Sequence, residues 1–198
     1  MTVRCVDELE LIFQERASLT GKDFFTNHAL YHKGFWNAWS KVYRNDYLQS
    51  LNLTVLDKYS CEDVATLWRI CFANGTFSYI HVPMISFRTK REGSITNQIS
   101  FEYTRGYLEQ MLQIYREVSR STIRKRKRVC GVLADMYVEK CKNVRKVHSN
   151  YRSQLYNLIK GNKDILLNNL AHMERASTLY SVVGFILGFE KANGLLSE

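Results

Sequence analysis

A chain of 198 residues, 45% hydrophobic and 24% charged, is long enough to bury a core and too apolar for global disorder. With one proline, Pro83, and 10 glycines, long helices can run without a breaker. The net charge is +9, a field that draws nucleic acid, anionic lipid or an acidic protein face.

That charge is concentrated. Arg116 to Arg152 holds 12 Lys and Arg against Glu117, Asp135 and Glu139, while the rest of the chain carries 16 of each sign. The five cysteines are odd in number and at least ten residues apart, a pattern of reduced, buried thiols rather than a disulfide framework. The acidic opening, with Asp7, Glu8, Glu10 and Glu15, lacks the basic flank and apolar run of a secretory signal. The sequons at Asn52 and Asn74 therefore read as chance, and Asn74-Gly75 as a turn.

In chain order, Val6, Leu9, Phe13 and Ala17 predict a first helix to about Ser18, ended by Gly21. Phe35, Trp36, Trp39, Val42, Tyr43 and Tyr47 predict a second helix with one broad aromatic face. Ser60, with Asp63 three residues on, is an acidic capping box that opens a third helix, its stripe being Val64, Leu67, Trp68 and Cys71. Phe77 to Phe87 is the one strand candidate, and Pro83 places it at an edge or an end.

From about Phe101 to Lys160 only Gly106 and Gly131 interrupt the helical pattern. Tyr107, Leu108, Met111, Leu112, Tyr115 and Val118 form one stripe. Cys130, Leu133, Tyr137, Cys141, Val144, His148, Tyr151, Leu155 and Leu158 continue in steps of three and four, which predicts a long helix packed along a neighbour. A last helix is expected from about Asp164 to Phe189. Its apolar part, Leu179 to Phe189, falls well short of the ~20 residues of a membrane span. Along it Ser177, Ser181, Gly184, Gly188 and Ala192 form a small-residue stripe suited to close helix packing.

The fold class is thus mainly α, with a small β element near 77–87 and a long basic helix. The expected units are an aromatic-rich module over 1–97 and a long-helix region over 98–198.

For chemistry, His28 and His32 share a helical face and are the one metal candidate, but no third ligand completes a zinc set. The cysteine spacings match no thiol motif. No phosphate-binding glycine loop, nucleophile elbow or recognised triad spacing is present. The expectation is no catalytic residue, no metal and no cofactor. The sharpest feature is Arg124-Lys125-Arg126-Lys127-Arg128, joined by Arg120. Five consecutive cations on a helix point in every direction and cannot all pair within a fold. They are a solvated face or a contact for phosphates, acidic lipid or acidic protein. The aromatics cluster near Trp36, far along the chain from these cations, which speaks against base stacking on a single strand.

Leu56 to Trp68, followed by Phe77 to Phe87, resembles the opening of the mitochondrial F1-ATPase assembly chaperones that bind the β subunit: a capped helix bearing a tryptophan, then a strand ending near a proline. After Phe87 that family continues with sheet, whereas this chain turns helical and basic, so no binding residue carries over. The resemblance implies a mitochondrial protein derived from such a module. The leading expectation is a non-catalytic accessory or assembly subunit of a mitochondrial complex such as ATP synthase, associated with the inner membrane, with protein neighbours or anionic lipid as partners. The alternative is a nucleic-acid-binding protein contacting phosphates through residues 116–152.

Overall fold

A computed structural model describes residues 19–32, 41–53, 62–73, 75–78 and 99–196. The protein is mainly helical with one two-stranded sheet, and 76% of the interpretable residues are helical. Strand β1 (Leu19–Thr20) pairs antiparallel with β2 (Thr76–Phe77), Leu19 opposite Phe77. The helices are α1 (Gly21–His32), α2 (Asn45–Ser50), α3 (Glu62–Phe72), α4 (Phe101–Arg120), α5 (Arg126–Asn143), α6 (Ser149–Gly161), α7 (Asp164–Leu167), α8 (Arg175–Leu187) and α9 (Phe189–Leu196).

Gly21 is the first residue of α1. The Thr20 hydroxyl accepts from the Asp23 amide at 3.2 Å and donates to the Asp23 carboxylate at 2.8 Å, a local cap. A Cβ on Gly21 would collide with the Cys71 carbonyl, so the close approach of α1 and α3 requires glycine. The expected first helix and the capping residue Ser60 lie outside the described residues. Of the aromatic second helix, 33–40 lie outside as well. Lys41 to Arg44 is not helical, and the short α2 starts only at Asn45. Asp46 pairs with Arg44 and accepts from the Tyr47 amide, the local bonding that starts a helix there.

Ser100 caps α4, accepting from the Tyr103 amide at 3.0 Å. Leu108, Met111, Leu112, Tyr115 and Val118 are all buried, as their spacing requires. Helix α5 returns along α4, with the Lys140 ammonium 4.7 Å from the Tyr107 ring centroid. Cys130, Leu133, Tyr137 and Cys141 carry its buried stripe, and Val144 just beyond it is buried too.

The single long helix over 130–158 is not formed. Helix α5 ends at Asn143, a 3-10 turn covers Val144–Lys146, and Val147 is extended. His148 caps α6 instead of filling a core position, its Nδ1 accepting from the Asn150 amide at 3.4 Å. Tyr151 is exposed and stacks on Phe101, centroids 4.9 Å apart. Side chains that bond nearby backbone compete with helix continuation, and His148 does so here. The expected 164–189 helix is broken likewise. Asn169 Nδ2 donates to the Ile165 carbonyl at 2.6 Å beyond α7, and Gly188 at φ 91° separates α8 from α9. One core cluster runs from Leu19 and Phe25 through α4 and α5 to Tyr180 and Ala192.

Candidate functional site at the α4–α5 turn

Helix α4 closes at Arg120, a cation where the helix dipole favours one. The Ser121 amide and hydroxyl both donate to the Val118 carbonyl, at 3.0 and 2.7 Å. Ile123 is buried and pins the connection to the core. On either side of this plug the charges stand in solvent: Arg120, Arg124, Lys125, Arg126, Lys127 and Arg128 are all exposed.

The five consecutive cations do not share one helix, which corrects the expectation that they point in every direction. Arg124 and Lys125 precede α5, and Arg126, Lys127 and Arg128 form its first turn. Lys125 is the N-cap in left-handed backbone, φ 56° and ψ 28°, and offers no side-chain cap. The Val129 amide makes the first helical bond, to the Lys125 carbonyl at 3.1 Å. The leading amides of Arg126, Lys127 and Arg128 precede that bond, as at any helix start. Arg126 bridges the turn, its Nη1 donating to the Ser121 carbonyl at 3.0 Å.

Two features therefore oppose this geometry in isolation. The positive end of the α5 dipole carries three cations and no acid in its first turn, and a non-glycine residue occupies the left-handed region. Ser121, Thr122, Ile123, Lys125, Arg126, Lys127 and Arg128 line an open depression of about 440 Å³. Among the described residues no ion pair joins any of these cations to a carboxylate; the pairs present are Arg44–Asp46, Arg105–Glu109 and Lys140–Glu139. An anion in the depression would relieve both the unfavourable dipole and the mutual repulsion.

Tyr31 is the site residue that the sequence pattern hides. It stands on α1, is 48% exposed although Phe24, Phe25 and Ala29 of that helix are buried, and meets Lys125 across the fold. Lys125 Nζ donates to the Tyr31 hydroxyl at 3.4 Å and lies 5.9 Å from the ring centroid. An aromatic thus stands beside the cations, which removes the sequence argument against stacking. Tyr31 stands seven residues after the buried Phe24, so helical spacing groups it with the core stripe, and its neighbour 94 residues on is a product of tertiary folding.

The remaining sequence candidates fall elsewhere. Ser177, Ser181 and Gly184 are buried, and Ser181 donates to the Ser177 carbonyl at 2.8 Å. A Cβ on Gly184 would enter the Phe189 ring, so the small-residue stripe seats α9 on α8 within the fold. Gly188 is exposed and ends α8. The outer face of this helix pair is apolar: Leu179, Val182, Ile186, Leu187 and Leu195 are exposed, Ile186 at 74%. No helix among the described residues is long and apolar enough to cross a membrane.

His28 is buried and stacks on Phe24, centroids 5.4 Å apart, while the His32 side chain lies outside the described set. Among the described residues no group of three His, Cys, Asp or Glu is placed to hold a metal. Cys71, Cys130 and Cys141 are free and buried. Burial pushes the Cys71 thiol up to about 12 against a smaller opposing pull from Lys41, so it stays protonated at neutral pH and is a poor nucleophile. Burial brings Lys41 down to about 8, with Cys71 and Asp63 pulling it back up. Compared with protein-family models, with curated proteins and with solved structures, the chain matches none.

Proposed function

We propose that this chain is a non-catalytic binding protein that grips the phosphates of a nucleic acid on the α4–α5 turn. One observation carries the reading: six exposed cations flank a helix start, four of them lining one open depression, where the dipole and uncapped amides favour a bound anion. Such an arrangement lowers the stability of the free chain, and a protein that keeps it gains something from the anion. A phosphate backbone presents anions at regular intervals, which suits a run of cations better than a single small ion.

The test is replacement of Arg124, Lys125, Arg126, Lys127 and Arg128 by Gln. Binding of a labelled oligonucleotide should weaken strongly, and its dependence on log salt should flatten by about 0.7 to 0.9 for each phosphate that is no longer neutralised. Thermal unfolding of the variant should not move down, since solvated charges add little stability. Unchanged binding would reduce the run to a solvated surface.

A second reading, an accessory or assembly subunit of a larger complex, is favoured by the apolar outer face of α8 and α9. Exposed aliphatic side chains at Leu179, Val182, Ile186 and Leu195 are what a protein neighbour covers. A mitochondrial setting and a link to ATP synthase rest on the chaperone resemblance, of which residues 56–61 and 79–87 lie outside the described residues. Native isolation with and without nuclease separates the two readings: partners released by nuclease treatment support the first, and partners that persist support the second.

A further inference from the structure

Tyr31 and Lys125 together say which form of nucleic acid fits the turn. We infer that the site takes single-stranded nucleic acid, with one base stacked on the Tyr31 ring while its phosphate is held by Lys125 and the adjoining cations. This rests on the phosphate-binding reading above and sharpens it. Tyr31 is 48% exposed, whereas Phe24, Phe25 and Ala29 of the same helix are buried. A half-exposed tyrosine has an apolar face available for a flat partner. Lys125 sits at its hydroxyl edge, 3.4 Å from the oxygen, so a phosphate bound by Lys125 brings its own nucleoside within reach of the ring. Bases in a duplex are stacked on each other and offer no face to a side chain; bases of a single strand do. Cations that track a backbone, with an aromatic set among them, are the two ingredients of sequence-tolerant single-strand binding. An acidic protein would use the cations alone and leave the ring without a role.

Three variants and two probes test this. Tyr31→Ala removes the ring, Tyr31→Leu keeps apolar bulk without a π face, and Tyr31→Phe keeps the ring without the hydroxyl bond to Lys125. The probes are a fluorescein-labelled oligothymidylate and a labelled duplex of equal length, read by anisotropy at fixed salt. Tyr31→Ala and Tyr31→Leu should each weaken single-strand binding about tenfold, the effect of removing one base stack. Tyr31→Phe should bind as the wild type does, and duplex binding should be the same for all four proteins. Equal weakening on both probes, or no weakening on either, would overturn the stacking role while leaving the phosphate reading in place. A wild-type chain that binds neither probe but binds an oligoglutamate peptide would overturn both.

Discussion

Replacing Lys127 by Glu should make the free chain more stable and its polyanion complex weaker. Lys127 is the second residue of α5 after the Lys125 cap, it is exposed, and its first turn holds no acid. A cation in the first turn costs about 0.3–1 kcal/mol against the helix dipole, and an acid there gains a similar amount. The swing is therefore about 1 kcal/mol, with added relief of repulsion from Arg126 and Arg128. For a chain of this size it corresponds to a rise in Tm of about 2–4 °C. Thermal unfolding followed by circular dichroism measures it at low salt. At about 1 M salt, where the Debye length is ~3 Å, most of the gain should vanish. Oligonucleotide affinity should fall in the same variant, so stability and binding move in opposite directions. A lowered Tm at low salt would refute the reasoning, because it would mean that Lys127 is held by a stabilising partner rather than opposed by its helix.

Two further outcomes follow from packing and burial. Gly131→Ala should cost about 1–3 kcal/mol, since the new Cβ would stand 2.8 Å from His172 Cβ and press on its carbonyl. Gly161→Ala meets nothing within 4 Å and should gain about 0.5 kcal/mol; urea midpoints of the pair compare the two directly. Stability should also fall as pH rises above about 9. Burial raises the thiols of Cys71, Cys130 and Cys141 above their ordinary 9.0 and the hydroxyls of Tyr43, Tyr137 and Tyr180 above 10.0. Between those values and the raised ones the unfolded chain has lost protons that the folded chain keeps, so unfolding is favoured. Lys41, lowered from 10.5 to about 8, has the opposite sign over its own interval, but above about 9 it is one group against three thiols, and above about 10 against the raised tyrosines as well. A urea midpoint that climbs between pH 9 and 10.5 would show Lys41 dominating.

The helical class and the α4 stripe were legible because apolar spacing alone decides which face of an amphipathic helix is buried. Continuity was not. The three- and four-residue steps through His148 and Tyr151 carry on past Val144, yet the backbone breaks there. Periodicity reports which side is apolar, and caps decide where a helix stops. The 3-10 turn at Val144–Lys146 was hidden by that accidental repeat. The exposure of Arg124 to Arg128 could be read from five adjacent like charges. Their position at a helix start could not, since none of the usual Ser, Thr, Asn or Asp caps stands there, and a left-handed lysine has no sequence signature. Neither the exposure of Tyr31 nor its meeting with Lys125 was readable, since both depend on how α1 crosses α5.

Helix α8 runs in the same direction as α5. The Glu174 amide donates to Asp135 at 3.0 Å, and farther along the Lys142 ammonium lies 5.8 Å from the Tyr180 ring centroid. The apolar end of α8, at Ile186 and Leu187, therefore lies past the C-terminal end of α5, while the cationic turn marks its beginning. Eighteen residues of α5 set these ends about 27 Å apart. A ligand seated on one end leaves the other uncovered, so the chain is built with two poles of unlike chemistry on one rigid axle. Occupied together, they would make it a tether that holds a polyanion at a set distance from an apolar surface.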